Sequence, residues 1–496
     1  MPRYRHVPRL AVSLAFVVFV VFMVAWPSSA PRGGSSARML AEFRSLPSTT
    51  GASRASPSSP PCSPSSSTSS FKSDHECRKS GASQSGRQRQ EGRRLLGDEK
   101  AIRAAAEAYM DVVRPEMFNS SGRAGIPDDD DDWLDGYASP CWLDDGGGLR
   151  CMPAFMILGV FQAGVKDVYL RMGRHPAIHD ASGLHILFWC EPHKWEDYAG
   201  TMSRVAEKHL LSAPDHLVGE VSPATFEFMW AQSTDLLRPT FAKAARECWT
   251  ELGAGGQERT DAGRDRCIQE SRAAELEFAR AHGVPAGRDE TLSAFTTPYL
   301  VRAAVGTSTK LIVVLRNPAD RLYAAYNKYG QYDAEYGFGP DGFDAYLDAQ
   351  LTLLEECIAK YSRFKCALEF EAIEYRYQAL FYHADQIIKS MYGEFLPEWL
   401  AAFPEPSALL VVTHEEYVAG PKRVLARVFD HVGVDSTLTT AAWDDILEGG
   451  PATLNGQPSR ERQPMHAATR ARLDAFFAPD VAAIADYVGD DSLWRE

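Results

Sequence analysis

Three uninterrupted apolar runs, each followed by a helical pattern, constrain this chain most. They are Ala154–Val160 (AFMILGV), Lys310–Leu315 (KLIVVL) and Ala408–Val412 (ALLVV). A strand that is apolar at every position, not at every second one, is buried on both faces, as in a parallel sheet covered by helices. Val165, Val168, Tyr169 and Met172 follow the first run at helical spacing, and His175-Pro176 is expected to end that helix. Repeated strand–helix alternation predicts an α/β fold with a parallel sheet flanked by helices.

The turns after two of these strands carry the chemistry. After the first comes Gly159-Val160-Phe161-Gln162-Ala163-Gly164-Val165-Lys166-Asp167. A helix that starts directly after a buried strand offers unpaired N–H groups and the positive end of its dipole, which suits an anion. A nucleoside-triphosphatase loop would read GxxxxGK[ST]. Gly159 and Gly164 fit, but Val165 stands at the lysine position and Lys166 at the hydroxyl position, which argues against a magnesium-dependent kinase. After the second strand comes Leu315-Arg316-Asn317-Pro318-Ala319-Asp320-Arg321. Asn317 is an expected N-cap and Pro318 suits the first helical position, so Arg316 is expected beside a helix N-terminus, where its planar fork can grip a phosphate.

The N-terminus has a different character. Arg3, Arg5 and Arg9 precede the uncharged run Leu10–Trp26. Seventeen residues span about 26 Å as a helix, close to a thin hydrocarbon core. The segment is expected to be a single-pass anchor with residues 1–9 cytoplasmic, a cleaved signal core being the alternative. Residues 27–97, rich in Ser, Pro, Gly and Arg, are expected to form a disordered stem. Residues 98–140 are expected to form a helical connection, with Asn119-Ser120-Ser121 as a glycosylation sequon, and the folded domain spans 141–496. Within it, about 224–298 is expected to be a helical insertion. The close pairs Cys141/Cys151, Cys248/Cys267 and Cys357/Cys366 suit disulfides in an oxidising lumen. No zinc-type spacing occurs, and no metal site is expected. With 52 basic against 66 acidic residues the net charge is −14, which excludes a general nucleic-acid binder and means that any anionic ligand needs a local basic pocket.

In order, the phosphate loop, His175-Pro176, Glu191-Pro192-His193-Lys194-Trp195, Gly219-Glu220-Val221-Ser222-Pro223 and LRNPADRLYAAY resemble the Golgi carbohydrate sulfotransferases. The N-acetylgalactosamine 4-sulfate 6-O-sulfotransferase type is the nearest subgroup by motif, with counterparts to Cys141-Trp142, Leu149-Arg150-Cys151 and Cys357/Cys366. The resemblance implies a P-loop-like α/β fold, a Golgi type II topology, 3′-phosphoadenosine-5′-phosphosulfate as donor and a glycan as acceptor. It places Gly164, Val165, Lys166 and Asp167 at the 5′-phosphosulfate and Arg316 and Ala324 at the 3′-phosphate. Glu191 becomes the base on the acceptor hydroxyl, and Arg460 lies in a late loop over the donor. Gln162 replaces the family's loop lysine, Ala324 a serine and Cys190 a lysine, while Val165-Lys166 replaces a threonine pair. Gln162 and Lys166 are therefore the residues on which turnover hinges. A catalytically impaired nucleotide- or glycan-binding homologue is the alternative.

Overall fold

A computed structural model describes residues 126–127, 133–180, 188–189, 195–227, 238–254, 260–281, 297–306, 308–370, 373–374, 376–377, 385–448 and 463–495. The expected anchor, stem and sequon lie outside these residues, as do most of the expected helical connection over 98–140, Glu191 and Arg460. Among the described residues no helix is long and apolar enough to cross a membrane.

The described chain opens on a short hairpin, β1 (Cys141–Leu143) and β2 (Leu149–Cys151), in which Cys141 faces Cys151. A disulfide joins them. The sheet proper follows in chain order. After β3 (Phe155–Ile157) come helix α1 (Val165–Met172), β4 (Ile178–Asp180), α2 (Trp195–His209) and β5 (Leu217–Val221). The helices α3 (Pro239–Ala254), α4 (Asp261–Ala281) and α5 (Thr297–Val305) precede β6 (Lys310–Leu315). Then come α6 (Pro318–Lys328), α7 (Gly330–Tyr336), α8 (Gly339–Lys360), α9 (Arg363–Glu369) and α10 (Tyr392–Ala402). The chain closes through β7 (Leu409–Thr413), α11 (His414–Ala419), α12 (Pro421–Val432), α13 (Thr440–Leu447) and α14 (Ala467–Val488).

The strands lie in the order β4-β5-β3-β6-β7, all parallel. The α/β expectation and its three apolar strands hold. From β3 the chain turns outward to β4, and from β6 it turns the other way to β7. The connections therefore part beside the carboxyl ends of β3 and β6, which is where open α/β sheets form their ligand crevice. Phe155, Met156, Ile157 and Leu311–Leu315 are fully buried. Helix α1 ends at Gly173, before the expected His175-Pro176. The His175 ring is instead buried, with Nε2 3.0 Å from the Asp435 carbonyl.

The expected insertion is a helix pair, α3 and α4, joined by the Cys248–Cys267 disulfide and held to the body by Arg272–Glu369 at 2.9 Å. It starts later than expected. Ala224 bridges to Gly159, and the Phe226 N–H donates to the Leu158 carbonyl at 2.8 Å, so residues 224–227 belong to the sheet's ligand end. The third expected disulfide, Cys357–Cys366, ties the end of α8 to α9.

Candidate functional site

The loop from Gly159 to Gly164 crosses the carboxyl end of β3 and enters α1. Its first anchor is the sheet: the Val160 N–H donates to the Val314 carbonyl at 2.9 Å. Gly164 is the N-cap of α1 at φ +91°, a conformation that costs an L residue about 1–2 kcal/mol. A side chain there would also meet a neighbour, because an added Cβ would lie 3.1 Å from Nδ1 of His414. The Asp167 and Val168 N–H groups both donate to the Gly164 carbonyl, at 3.0 and 3.3 Å. The Val165 and Lys166 N–H groups, in the first turn, have no intrahelical acceptor and point where an anion would sit. Lys166 is half-buried, and among the described residues its ammonium has no ion-pair partner.

Arg316 stands at the end of β6, as the strand–cap order requires. Its Nη1 donates to the Gln162 carbonyl at 3.3 Å, so the two phosphate candidates are in contact. Asn317 caps α6: its Oδ1 accepts from the Ala319 and Asp320 N–H groups at 3.1 and 3.2 Å. Pro318 takes the first helical position. Ala324 is buried on α6 and brings no polar atom. Gln162 adopts φ +67°, half-buried at the top of the loop.

Asp167 lies in the first turn of α1. It is buried, its carboxylate accepts from Arg171 Nε at 3.0 Å and from the Tyr417 hydroxyl at 2.5 Å, and it ties α1 to α11. Those contacts make the side chain a fastening of the helix.

Several residues around the loop carry no signal in the sequence. His414, at the start of α11, has Nδ1 3.1 Å from the Ala163 carbonyl, and burial with the nearby Arg316 charge lowers its pKa. Glu415 accepts from the Asn317 N–H at 3.0 Å and from the Trp494 indole at 2.8 Å. Arg470, on α14, donates to Asn317 Oδ1 at 3.2 Å and pairs with Asp320. The C-terminal helix thus clamps the cap beside Arg316. Thr413, a strand end with a capping box to Glu416, was the one available sign that a third strand–helix turn meets the site.

Next to β5 lies an aromatic wall of Phe188, Trp189, Trp195 and Tyr198. Glu220 is buried against it, accepting from the Tyr198 hydroxyl at 2.6 Å and the Trp189 indole at 3.5 Å. Burial pushes this carboxyl up to about 7. In the sequence, Trp189 and Trp195 stand on either side of the expected Glu191 segment, which lies outside the described residues.

Carbohydrate sulfotransferase 15 of Rattus norvegicus is 23% identical over 356 residues, covering 70% of this chain and 55% of that protein. Carbohydrate sulfotransferase 15 of Homo sapiens is 23% identical over 353 residues, with the same coverage. The chain is related to the carbohydrate sulfotransferases. It spans about half the length of these curated relatives. A sulfotransferase structure from Alicyclobacillus acidocaldarius superposes at a TM-score of 0.35 with 18% identity, over 70% of this chain and 99% of that one. No family model matches. In this relative of the carbohydrate sulfotransferases, the turns after β3 and β6 touch beside the sheet's switch point through Arg316 and the Gln162 carbonyl.

Proposed function

We propose that the chain transfers a sulfuryl group from 3′-phosphoadenosine-5′-phosphosulfate to a hydroxyl of a glycan, of glycosaminoglycan type. The observation that carries this reading is the contact between Arg316 and the Gln162 carbonyl, which joins an arginine at a strand end to a loop with open N–H groups. A donor with a phosphate at each end of its ribose needs two anion sites a few ångströms apart, and these two turns supply them. Val165 and Lys166 N–H groups with the Lys166 ammonium receive the 5′-phosphosulfate, and Arg316 receives the 3′-phosphate. Glu191 takes the acceptor proton, and Arg460 covers the donor.

Sulfuryl transfer resembles phosphoryl transfer in needing positioning and charge stabilisation more than covalent chemistry by the protein. The acceptor oxygen attacks sulfur in line, the bond from sulfur to the bridging oxygen breaks, and the leaving phosphate takes that electron pair. A base on the acceptor contributes about 10²–10⁴-fold. We place the protein on the Golgi membrane by its N-terminal segment, with this domain luminal. A second reading, a nucleotide- or glycan-binding homologue of low turnover, is favoured by the uncharged Gln162 at the loop.

The test is an assay of the full chain with sulfur-labelled donor against a panel of glycosaminoglycans. Label transfer to any of them supports the enzyme. Donor binding without transfer across the panel favours the second reading, and loss of both overturns the proposal.

A further inference from the structure

A second group of charges lies beneath the loop, and the proposed chemistry leaves it unused. Residues 224–227 are pinned to the loop's start, which brings Glu227 under Gly159: a Cβ on Gly159 would be 3.1 Å from Glu227 Oε2. Glu227 is 1% exposed, and neither carboxylate oxygen has a hydrogen-bond partner among the described residues. An ionised carboxylate in that position would be strongly disfavoured. Burial pushes the group up to about 8, with the Lys389 and Arg321 charges pulling the other way.

Lys389 is 3% exposed. Its ammonium pairs with Asp385 at 2.6 Å and lies 5.5 Å from the centre of the Phe161 ring, the loop residue before Gln162. Arg321, on α6, is fully buried and donates to neutral oxygens: Ser390 Oγ at 2.7 Å, Gln386 Oε1 at 3.4 Å and the Gln386 carbonyl. The Tyr392 phenol, on α10, completes the groups facing Glu227, and burial holds it neutral. With Glu227 protonated, the set holds two cations, Arg321 and Lys389, and one anion, Asp385. One positive charge is then left over in a largely buried group beside Gly159 and Phe161, at the start of the anion loop. Such an imbalance is costly unless an anion lies close by.

We propose that Glu227, Lys389, Arg321 and Asp385 form a proton-gated floor for the anion loop, positive and anion-holding when Glu227 is protonated, neutral and weakly binding when it is ionised. The inference rests on, and deepens, the placement of the donor's phosphosulfate in that loop. Lys389 acts through the Phe161 ring and is a positioning residue. Anion and proton bind together, so each strengthens the other by the same factor. Affinity therefore falls as pH rises through the Glu227 pKa, by at most about tenfold per pH unit for one proton.

The experiment is calorimetry on the full chain with two probes, 3′-phosphoadenosine-5′-phosphate and inorganic pyrophosphate, from pH 6.5 to 9. Wild type should lose about tenfold in affinity for each probe between pH 7 and 9, and Glu227→Gln should stay within about twofold of its pH 7 value. Lys389→Met should bind about tenfold more weakly at pH 7, and Lys389→Arg should keep the affinity. If Lys389→Met does not fold, the Glu227→Gln profile decides alone. Parallel profiles in wild type and Glu227→Gln, or wild-type affinity in a folded Lys389→Met, overturn the floor. Gated binding of pyrophosphate without nucleotide binding supports the floor and refutes the donor. Ungated nucleotide binding does the reverse, and no binding of either probe overturns both.

Discussion

Replacing Arg316 by alanine separates the two anion sites. Arg316 is half-buried at the end of β6, and its guanidinium donates to the Gln162 carbonyl at 3.3 Å. Removing it takes one charge-assisted contact from the 3′-phosphate, worth about 1.5–3 kcal/mol, or roughly 10–150-fold in affinity. It also frees the Gln162 carbonyl, which sits at a half-buried loop that water reaches, so the cost to the fold is about 1 kcal/mol or less. Asn317, Glu415 and Arg470 hold the α6 cap independently of the Arg316 side chain. Calorimetry with 3′-phosphoadenosine-5′-phosphate and with adenosine 5′-phosphate reads the difference. The first should weaken by 10–150-fold and the second by less than about threefold. Arg316→Lys should recover only part, because an ammonium cannot bond a phosphate bidentately. Equal losses for both nucleotides would refute the assignment and make Arg316 a brace of the loop.

Gly164→Ala should weaken nucleotide binding by about tenfold through the φ +91° backbone and the 3.1 Å approach to His414; adding His414→Ala should return only the steric part, and full recovery would show that the backbone is unstrained. Gln162→Lys should raise turnover by about 10–10³-fold with little change in donor affinity, since charge builds on the leaving oxygen in the transition state; a gain in affinity alone would refute this. Glu220→Gln tests a buried acid whose folded pKa, about 7, exceeds its ordinary value. The unfolded chain then loses this proton first, so wild type should lose stability, by roughly 2–3 kcal/mol, as pH rises from about 4.5 to about 7. Thermal unfolding should show the variant gaining on wild type between pH 5 and 8, and a constant difference would sink the argument.

The parallel sheet was legible where burial alone sets the residue type. The runs in β3, β6 and β7 are apolar because both faces are covered. The strand β4 is only Ile178-His179-Asp180, and β5 carries Gly219 and Glu220, so neither shows an apolar run. Their pairing is decided by neighbours distant in the chain. The same division holds at the site. The cap Asn317-Pro318 and the αL glycine Gly164 are local devices, and the sequence displays them. His414, Arg470 and Trp494 reach the turns from later strands and helices, and no spacing announces that meeting. Asp167 is a further case. The resemblance alone put it in the phosphosulfate loop, and the packing of Tyr417 and Arg171 against it adds a fastening role that no local pattern displays.

The altered loop is best understood through its surroundings. A loop that lacks a lysine at Gln162 and a hydroxyl at Lys166 keeps the parts that an anion needs most: open N–H groups, a helix N-terminus and cations near at hand. Lys166 stands in the first turn, Arg316 leans on the Gln162 carbonyl, and Lys389 lies under Phe161. These three cations approach the same turn from α1, β6 and the segment before α10. Binding an anion requires only that their summed field be positive, which several arrangements satisfy. Stabilising a leaving oxygen requires a donor within about 3 Å of one atom, which few do. The loop's sequence can therefore drift while donor affinity survives, and turnover is the property that the Gln162 position puts to the test.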